Sequence, residues 1–166
     1  MSETPPETPV LVQLQQQPTL SIHRKIPIAD ISTSHGECFQ LLHDHLKAQQ
    51  IVAAGPPFVR YHTFEKEHTD VEVGVPLQQD APASAEIQAG HLPEGPALVT
   101  EHVGPHQKLG EAYRRLHQAM KSSSHEPEGA IWEIYHWMDL TKDPAEESTN
   151  TPQDWHTTLV QPLKKQ

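Results

Sequence analysis

The chain contains an internal repeat, which limits the folds that it can adopt. Segments 55–62 (GPPFVRYH) and 129–136 (GAIWEIYH) each begin with glycine and end in Tyr-His, and a closing Pro-Leu pair follows each of them, at 76–77 and 162–163. The order of predicted elements, which is strand, helix, strand and strand, is the same in both copies. Because neither β-α-β-β unit is large enough to bury its own sheet face, we expect the two units to join about a pseudo-twofold axis.

Residue periodicity places the strands and helices of this repeat. Alternating β-type residues predict strands at 58–64, 71–77, 96–103, 129–139 and 155–163, a strand in one or both of 10–14 and 20–28, and a short edge strand within 84–90. A capping-box pattern from Ser34 to Glu37 predicts the start of the first helix, which ends before Gly55. Pro105 and an apolar stripe over 109–120 predict the second helix.

The predicted fold class is α+β. The two repeats, at about 9–77 and 84–163, form one antiparallel sheet with two main helices on one face and a central groove between the helices. A length of 166 residues fits one domain, which we place at 9–163. The proline-rich residues 1–8 are expected to form a disordered N-terminal tail, and 164–166 a C-terminal tail.

The composition of the chain excludes several classes of function. There are 22 acidic and 12 basic residues, and the formal charge of −10 repels phosphate backbones, so direct nucleic-acid binding is not expected. The single cysteine, Cys38, cannot form an internal disulfide. No apolar run reaches the roughly 20 residues of a membrane span and no signal peptide is recognisable, so we expect a cytoplasmic protein that does not associate with membranes.

The 13 histidines raise the question of a metal site. His102 and His106 have the best spacing, but a Gly-Pro pair interrupts it, and His43 and His45 would point apart on a helix. Because no HExxH motif or Cys/His cluster is present, the sequence predicts scattered surface histidines, no metal site and no cofactor.

Glu133 is a single carboxylate in the middle of the apolar run 129–139. On a strand the side chains alternate, so Glu133 shares a face with Tyr135 and Trp137, while Trp132 points to the other face. Burying an unpaired charge is expensive, so Glu133 requires a partner, which is either an arginine of the chain or a ligand. Three arginines are candidates for the first alternative: Arg60, Arg114 and Arg115.

Several motifs, mostly in the second repeat, occur in a specific order. They are 97–106 (ALVTEHVGPH), 109–116 (LGEAYRRL), 132–135 (WEIY) and 155–163 (WHTTLVQPL). In this order they resemble the GyrI-like small-molecule-binding fold, which also forms the effector domain of multidrug-responsive transcription activators of the AraC and MerR types. No helix-turn-helix motif accompanies them, so we expect a stand-alone member of that family.

The resemblance implies a role for Glu133. In the family pattern, the glutamate of the E-x-Y strand motif lies at the bottom of a central pocket and meets cationic, lipophilic ligands among aromatic side chains. We therefore expect the groove to bind small amphipathic molecules that are cationic or aromatic. The resemblance also implies two alternatives: some stand-alone members hydrolyse electrophilic toxins of the cyclopropane type, and some members act on a protein partner such as DNA gyrase.

Candidate ligand contacts surround Glu133. Tyr135 and Trp137 offer aromatic faces that attract cations, although packing in the core is nearly as good an interpretation of both. Tyr113 lies on the apolar stripe of the second helix, and the resemblance favours a hydroxyl that faces the groove. Tyr61 is the repeat equivalent of Tyr135, so a twofold groove would present both rings from opposite sides.

The sequence departs from the family pattern at two places near the presumed groove. His106 stands where an aromatic residue is common, and His136-Trp137 replaces the usual polar continuation of the E-x-Y motif; His106 is included among the ligand contacts. Glu101 is a candidate second carboxylate that would assist Glu133 in a hydrolase, since paired acids can divide the roles of acid and base. Glu101 equally well points at solvent.

Overall fold

The structure is a computed structural model, and it describes residues 9–105, 108–140 and 155–164. In chain order the elements are β1 (Val10–Leu14), β2 (Gln17–Pro27), α1 (Ile31–Gln49), β3 (Phe58–Phe64), β4 (His68–Pro76), β5 (Ile87–Leu92), β6 (Gly95–Val103), α2 (Leu109–Ser123), β7 (Trp132–Tyr135) and β8 (His156–Pro162). Neither of these helices has the length and apolarity needed to cross a membrane.

The described strands form one antiparallel sheet in the order β1-β6-β8-β7-β3-β4-β2-β5. The order is symmetrical about the central β7–β3 pair, because β3-β4-β2 in one half matches β7-β8-β6 in the other. The outer strands are exchanged between the halves: β1 of the first repeat pairs with β6, and β5 of the second repeat pairs with β2. The predicted α+β fold with one antiparallel sheet is confirmed.

A row of cross-strand partners shows where the helices lie, since partners share a face of the sheet. The row runs through Thr100, Leu159, Glu133, Val59, Val73 and Ile22. Leu159 belongs to the apolar cluster that includes Leu116 of α2, while Val59 and Val73 belong to the cluster that includes Leu42 of α1. Both helices therefore cover the same face, as predicted, and Glu133 lies between the two clusters.

The first helix begins earlier than the capping-box pattern predicts. A 3₁₀ turn, Ile28–Asp30, follows β2 and continues directly into α1. Ser34 is therefore buried within the helix, where its hydroxyl oxygen accepts a 3.2 Å hydrogen bond from Arg24 Nη1. Arg24 Nη1 also pairs with Glu37 at 3.2 Å. Arg24 of β2 thus binds Ser34 and Glu37, the two side chains of the predicted capping box.

Strand β7 is shorter than the predicted segment 129–139 and ends at Tyr135. Trp132 faces away from the helices and packs in a separate apolar cluster with Phe58. The guanidinium carbon of Arg60 lies 5.3 Å from the ring centroid of Trp132, within the distance of a cation–π contact. Trp132 has the packing role that the sequence predicts for it.

Gly74 in β4 leaves no space for a side chain. A Cβ at this position would lie 2.5 Å from Phe58 Cζ and 2.9 Å from the main-chain oxygen of Leu20. Because that oxygen belongs to the paired strand β2, we expect Gly74→Ala to lower the free energy of unfolding by about 1–3 kcal/mol. The matched control is Gly36→Ala in α1, where a Cβ would meet nothing within 4 Å. Because alanine favours a helix more than glycine does, we expect this substitution to raise the free energy of unfolding by about 0.5–1 kcal/mol. Urea denaturation measures the stability of both variants. An unchanged denaturation midpoint for Gly74→Ala would contradict the close contact of Gly74 with Phe58 and Leu20.

Candidate ligand-binding groove

Glu133 lies on the pseudo-twofold axis of the fold. Residues 74 positions apart (129 − 55) are equivalent in the two repeats, so the equivalent of Glu133 is Val59. These two residues are also cross-strand partners in the central β7–β3 pair. In the first repeat this position is occupied by the apolar side chain of Val59, so the fold itself does not require a carboxylate there.

The Glu133 carboxylate is buried and is held by two tyrosine hydroxyls. The residue is 5% exposed. Tyr113 donates its hydroxyl to Oε2 at 2.5 Å, and Tyr135 donates to Oε1 at 2.7 Å. Among the residues that the structure describes, no lysine, arginine or histidine pairs with this carboxylate. Two neutral donors therefore orient the carboxylate without supplying a compensating charge.

The arginines that the sequence offered as partners lie elsewhere. Arg60 is on the opposite face of the sheet, over Trp132. Arg114 is exposed. Arg115 donates through Nη2 to the main-chain oxygen of Glu101 at 2.9 Å. The described contacts therefore do not support the first alternative, an arginine of the chain as the partner of the carboxylate.

The buried environment changes the proton affinity of the groups around Glu133. Burial raises the pKa of Glu133, and the hydrogen bonds from Tyr113 and Tyr135 oppose this rise only in part. Burial, followed by the negative charge of Glu133, raises the pKa of both tyrosines, and the same two causes raise that of Tyr61. The tyrosine hydroxyls therefore keep their protons and remain donors at neutral pH.

Two adjoining cavities open beside Glu133, near the first turns of α1 and α2. Their volumes are about 670 and 570 Å³, which is the size of typical small-molecule pockets. Both cavities are lined by the same four residues: Ile31, Tyr61, Leu109 and Glu133. Tyr113 and His117 also line the first cavity, and Tyr135 and Trp137 also line the second. Together they form one groove with a carboxylate at its base.

Stacked aromatic rings form the wall of the second cavity. The ring centroids of Tyr135 and Trp137 are 5.2 Å apart, and those of Trp137 and Trp155 are 4.2 Å apart with an interplanar angle of 10°. Trp155 lines the groove although the sequence did not single it out. Thr157 pairs with Tyr135, so the two share a face of the sheet. Trp155, two residues before Thr157, could therefore have been assigned to the groove if the strand register had been known.

The structure brings four of the predicted ligand contacts together around Glu133: Tyr61, Tyr113, Tyr135 and Trp137. Glu101 does not join them. Thr100 is the partner of Leu159 on the helix-covered face, so the next residue, Glu101, points to the opposite face. His106 lies outside the described residues, as do residues 1–8 and 165–166 of the predicted tails.

Comparison with known families identifies the class to which this fold and groove belong. The family model of the GyrI-like small molecule binding domain matches residues 7–151. The chain therefore belongs to the GyrI-like small molecule binding domain family. No curated protein matches the chain in sequence.

Several solved structures share the fold at low sequence identity. The C-terminal domain of EcmrR has a TM-score of 0.74 at 18% identity, with 96% of this chain and 98% of that chain covered. EcmrR in its DNA complex has a TM-score of 0.78 at 18% identity, and 96% of this chain matches 58% of that longer chain. SAV2435, solved bound to tetraphenylphosphonium, has a TM-score of 0.63 at 15% identity, covering 94% and 93%. A hydrolase from Listeria innocua has a TM-score of 0.62 at 13% identity, covering 96% and 93%.

Proposed function

We propose that the groove binds an amphipathic organic cation and that Glu133 meets its positive charge. The observation that carries this proposal is a buried carboxylate that accepts two tyrosine hydroxyls and pairs with no cationic side chain among the described residues. Leaving such a charge without a counter-ion is unfavourable, so a cation that enters the groove gains a strong and poorly screened attraction.

The walls of the groove suit the apolar part of such a ligand. Tyr61, Trp137 and Trp155 present rings that a lipophilic group can pack against, and aromatic faces attract cations as well. The fold neighbour SAV2435 was solved with tetraphenylphosphonium, a cation that carries four phenyl groups. The volume, the aromatic lining and the buried Glu133 support binding of the same class of compound.

Charge selectivity tests the proposal directly. Isothermal titration calorimetry would compare tetraphenylphosphonium with triphenylphosphine oxide, a neutral molecule with similar phenyl groups. We expect the cation to bind at least about tenfold more tightly, because a buried charge pair contributes more than about 1.4 kcal/mol. Equal affinities, or no binding of the cation, would contradict the proposed role of Glu133.

Hydrolysis in the same groove is a second candidate, and it is favoured by the fold shared with the Listeria innocua hydrolase. In this case the ionised Glu133 would take a proton from the attacking water, while the hydroxyls of Tyr113 and Tyr135 hold the carboxylate in place. Turnover of a cyclopropane-type electrophile that is lost in Glu133→Gln, with binding retained, would identify this activity. Because Glu101 faces the other side of the sheet, no second acid from that position assists.

A further inference from the structure

Three potential metal ligands meet on the face of the sheet opposite the groove. Glu101 comes from β6, His136 directly follows β7, and His156 begins β8, so three adjacent parts of the sheet each contribute one side chain. One ligand atom from each side chain lies within 4.8 Å of the other two. The two imidazole rings stack with their centroids 4.5 Å apart. These residues form the Glu101 cluster.

Hydrogen bonds already bring the ligand atoms of the Glu101 cluster together. His156 Nε2 lies 2.5 Å from Glu101 Oε2, and the Thr158 hydroxyl donates to the same oxygen at 2.6 Å. That hydroxyl in turn accepts from His136 Nε2 at 2.6 Å. Both Nε2 atoms therefore point toward the same carboxylate.

Two histidines and one carboxylate are a ligand set that suits zinc. Zn²⁺ accepts imidazole nitrogen and carboxylate oxygen at about 2.0–2.2 Å, and sites with three such protein ligands leave a fourth position for water. The Glu101 cluster is accessible for this, because the Glu101 side chain is 23% exposed and that of His156 is 39% exposed. Modest side-chain rotation would bring the three ligand atoms to bonding distance of one ion.

A similar cluster in the other half of the sheet provides a natural comparison. His62 is the repeat equivalent of His136, and it lies with His23 and Glu72 in a second group of two histidines and one acid. There, however, the cross-strand partner of Glu72 is Arg60, whose charge interacts with that carboxylate. A neighbouring guanidinium opposes the binding of a divalent cation.

The Glu101 cluster lacks this competing charge among the described residues. The position equivalent to Arg60 is occupied by Ile134, which pairs with Thr158. Arg115 contacts the main-chain oxygen of Glu101 rather than its carboxylate. The difference between the two halves therefore favours metal binding at the Glu101 cluster.

We propose that Glu101, His136 and His156 bind a zinc ion at a site separate from the ligand groove. The ion would connect β6 to the ends of β7 and β8. Its two histidine ligands are the chain neighbours of Trp137 and Trp155, which stack on the groove side of the same segments. Zinc at this position would hold together the two segments that carry the tryptophan stack.

Titration of the full-length chain with Zn²⁺ in a calorimeter tests the site. We expect one zinc ion to bind, and His156→Ala and Glu101→Gln each to weaken it by at least about 100-fold, since loss of a ligand exceeds the 10–100-fold effect of outer partners. His62→Ala, which removes one ligand of the comparison cluster, should leave the tight site intact. Circular dichroism and tetraphenylphosphonium binding would show that the variants remain folded.

Melting temperatures measured with and without zinc test the same site through the stability of the protein. Zinc that binds the native state must raise the melting temperature of the wild-type chain and of His62→Ala, and must raise that of His156→Ala by much less at the same zinc concentration. Absence of tight zinc binding, loss of it in His62→Ala, or retention of it in both His156→Ala and Glu101→Gln would overturn the proposal.

Discussion

Replacing Glu133 by glutamine is expected to weaken tetraphenylphosphonium binding by about 30-fold or more, which corresponds to roughly 2 kcal/mol. Glutamine keeps the shape of the side chain, and its oxygen still accepts a hydrogen bond from Tyr113 or Tyr135. What the substitution removes is the negative charge at the base of the groove. The loss therefore measures the charge interaction itself, as read from calorimetric dissociation constants.

The control for this substitution is Glu111→Gln. Glu111 is exposed in the first turn of α2, so the variant carries the same change in net charge without altering the groove. We expect its affinity for tetraphenylphosphonium to change less than about twofold, because water and salt screen an exposed charge far more than a buried one. An equal loss in both variants would show that the net charge of the protein, rather than Glu133, attracts the cation.

Cation binding is expected to strengthen steeply as the pH rises. Burial holds the pKa of Glu133 above its ordinary value of 4.5, and the cation binds the ionised carboxylate. Below the raised pKa, binding must release a proton, so affinity should rise by about tenfold per pH unit and then level off above that pKa. Dissociation constants from pH 4.5 to 8, measured in two buffers of different ionisation enthalpy, would give both the slope and the number of protons released.

Two histidines near the groove require a control for this pH dependence. His35 lies on α1 and His117 on α2, and both line the cavities beside Glu133. The tyrosines of the groove stay protonated and contribute no slope. Glu133→Gln retains both histidines, so the pH slope that remains in this variant measures the contribution of groups other than Glu133. An identical pH profile in wild type and variant would show that the pH dependence does not come from Glu133.

The same carboxylate is expected to affect the stability of the protein without ligand. Because the native state holds the proton of Glu133 more tightly than the unfolded chain does, stability falls as the pH rises from the ordinary value through the raised pKa. A bound cation reverses this loss by favouring the ionised form. Glu133 is thus a position where the preference of the fold and the proposed function of the groove oppose each other.

The sequence predicted the architecture well because its repeat constrained several elements at once. Two copies of one β-α-β-β unit imply a single sheet with both helices on one face, and the strand order shows this arrangement. The prediction was wrong at the start of α1, where Ser34 matches a capping box. Its hydroxyl accepts a hydrogen bond from Arg24, a contact between β2 and α1 that a local pattern does not contain.

The groove was predictable where strand alternation determines it. Alternation placed Tyr135 and Glu133 on one face, and the two side chains are hydrogen bonded. The pairing of β7 with β8 places Trp155 in the groove. Because the sequence pattern does not determine this pairing, the position of Trp155 was not predicted. The Glu101 cluster also could not be predicted without knowledge of the strand pairing. Positions 101, 136 and 156 match no metal-ligand spacing in the sequence, and strand pairing brings them together.

The location of Glu133 on the axis has a consequence for the origin of the binding site. In a homodimer of two identical half-chains, the two positions at the centre would carry the same residue, giving two facing acids that repel each other or two valines with no charge. A lone negative charge at the midpoint is possible only after both halves are encoded separately within one polypeptide. The single acid at this midpoint therefore depends on the sequence difference between the two repeats, which place valine at position 59 and glutamate at position 133.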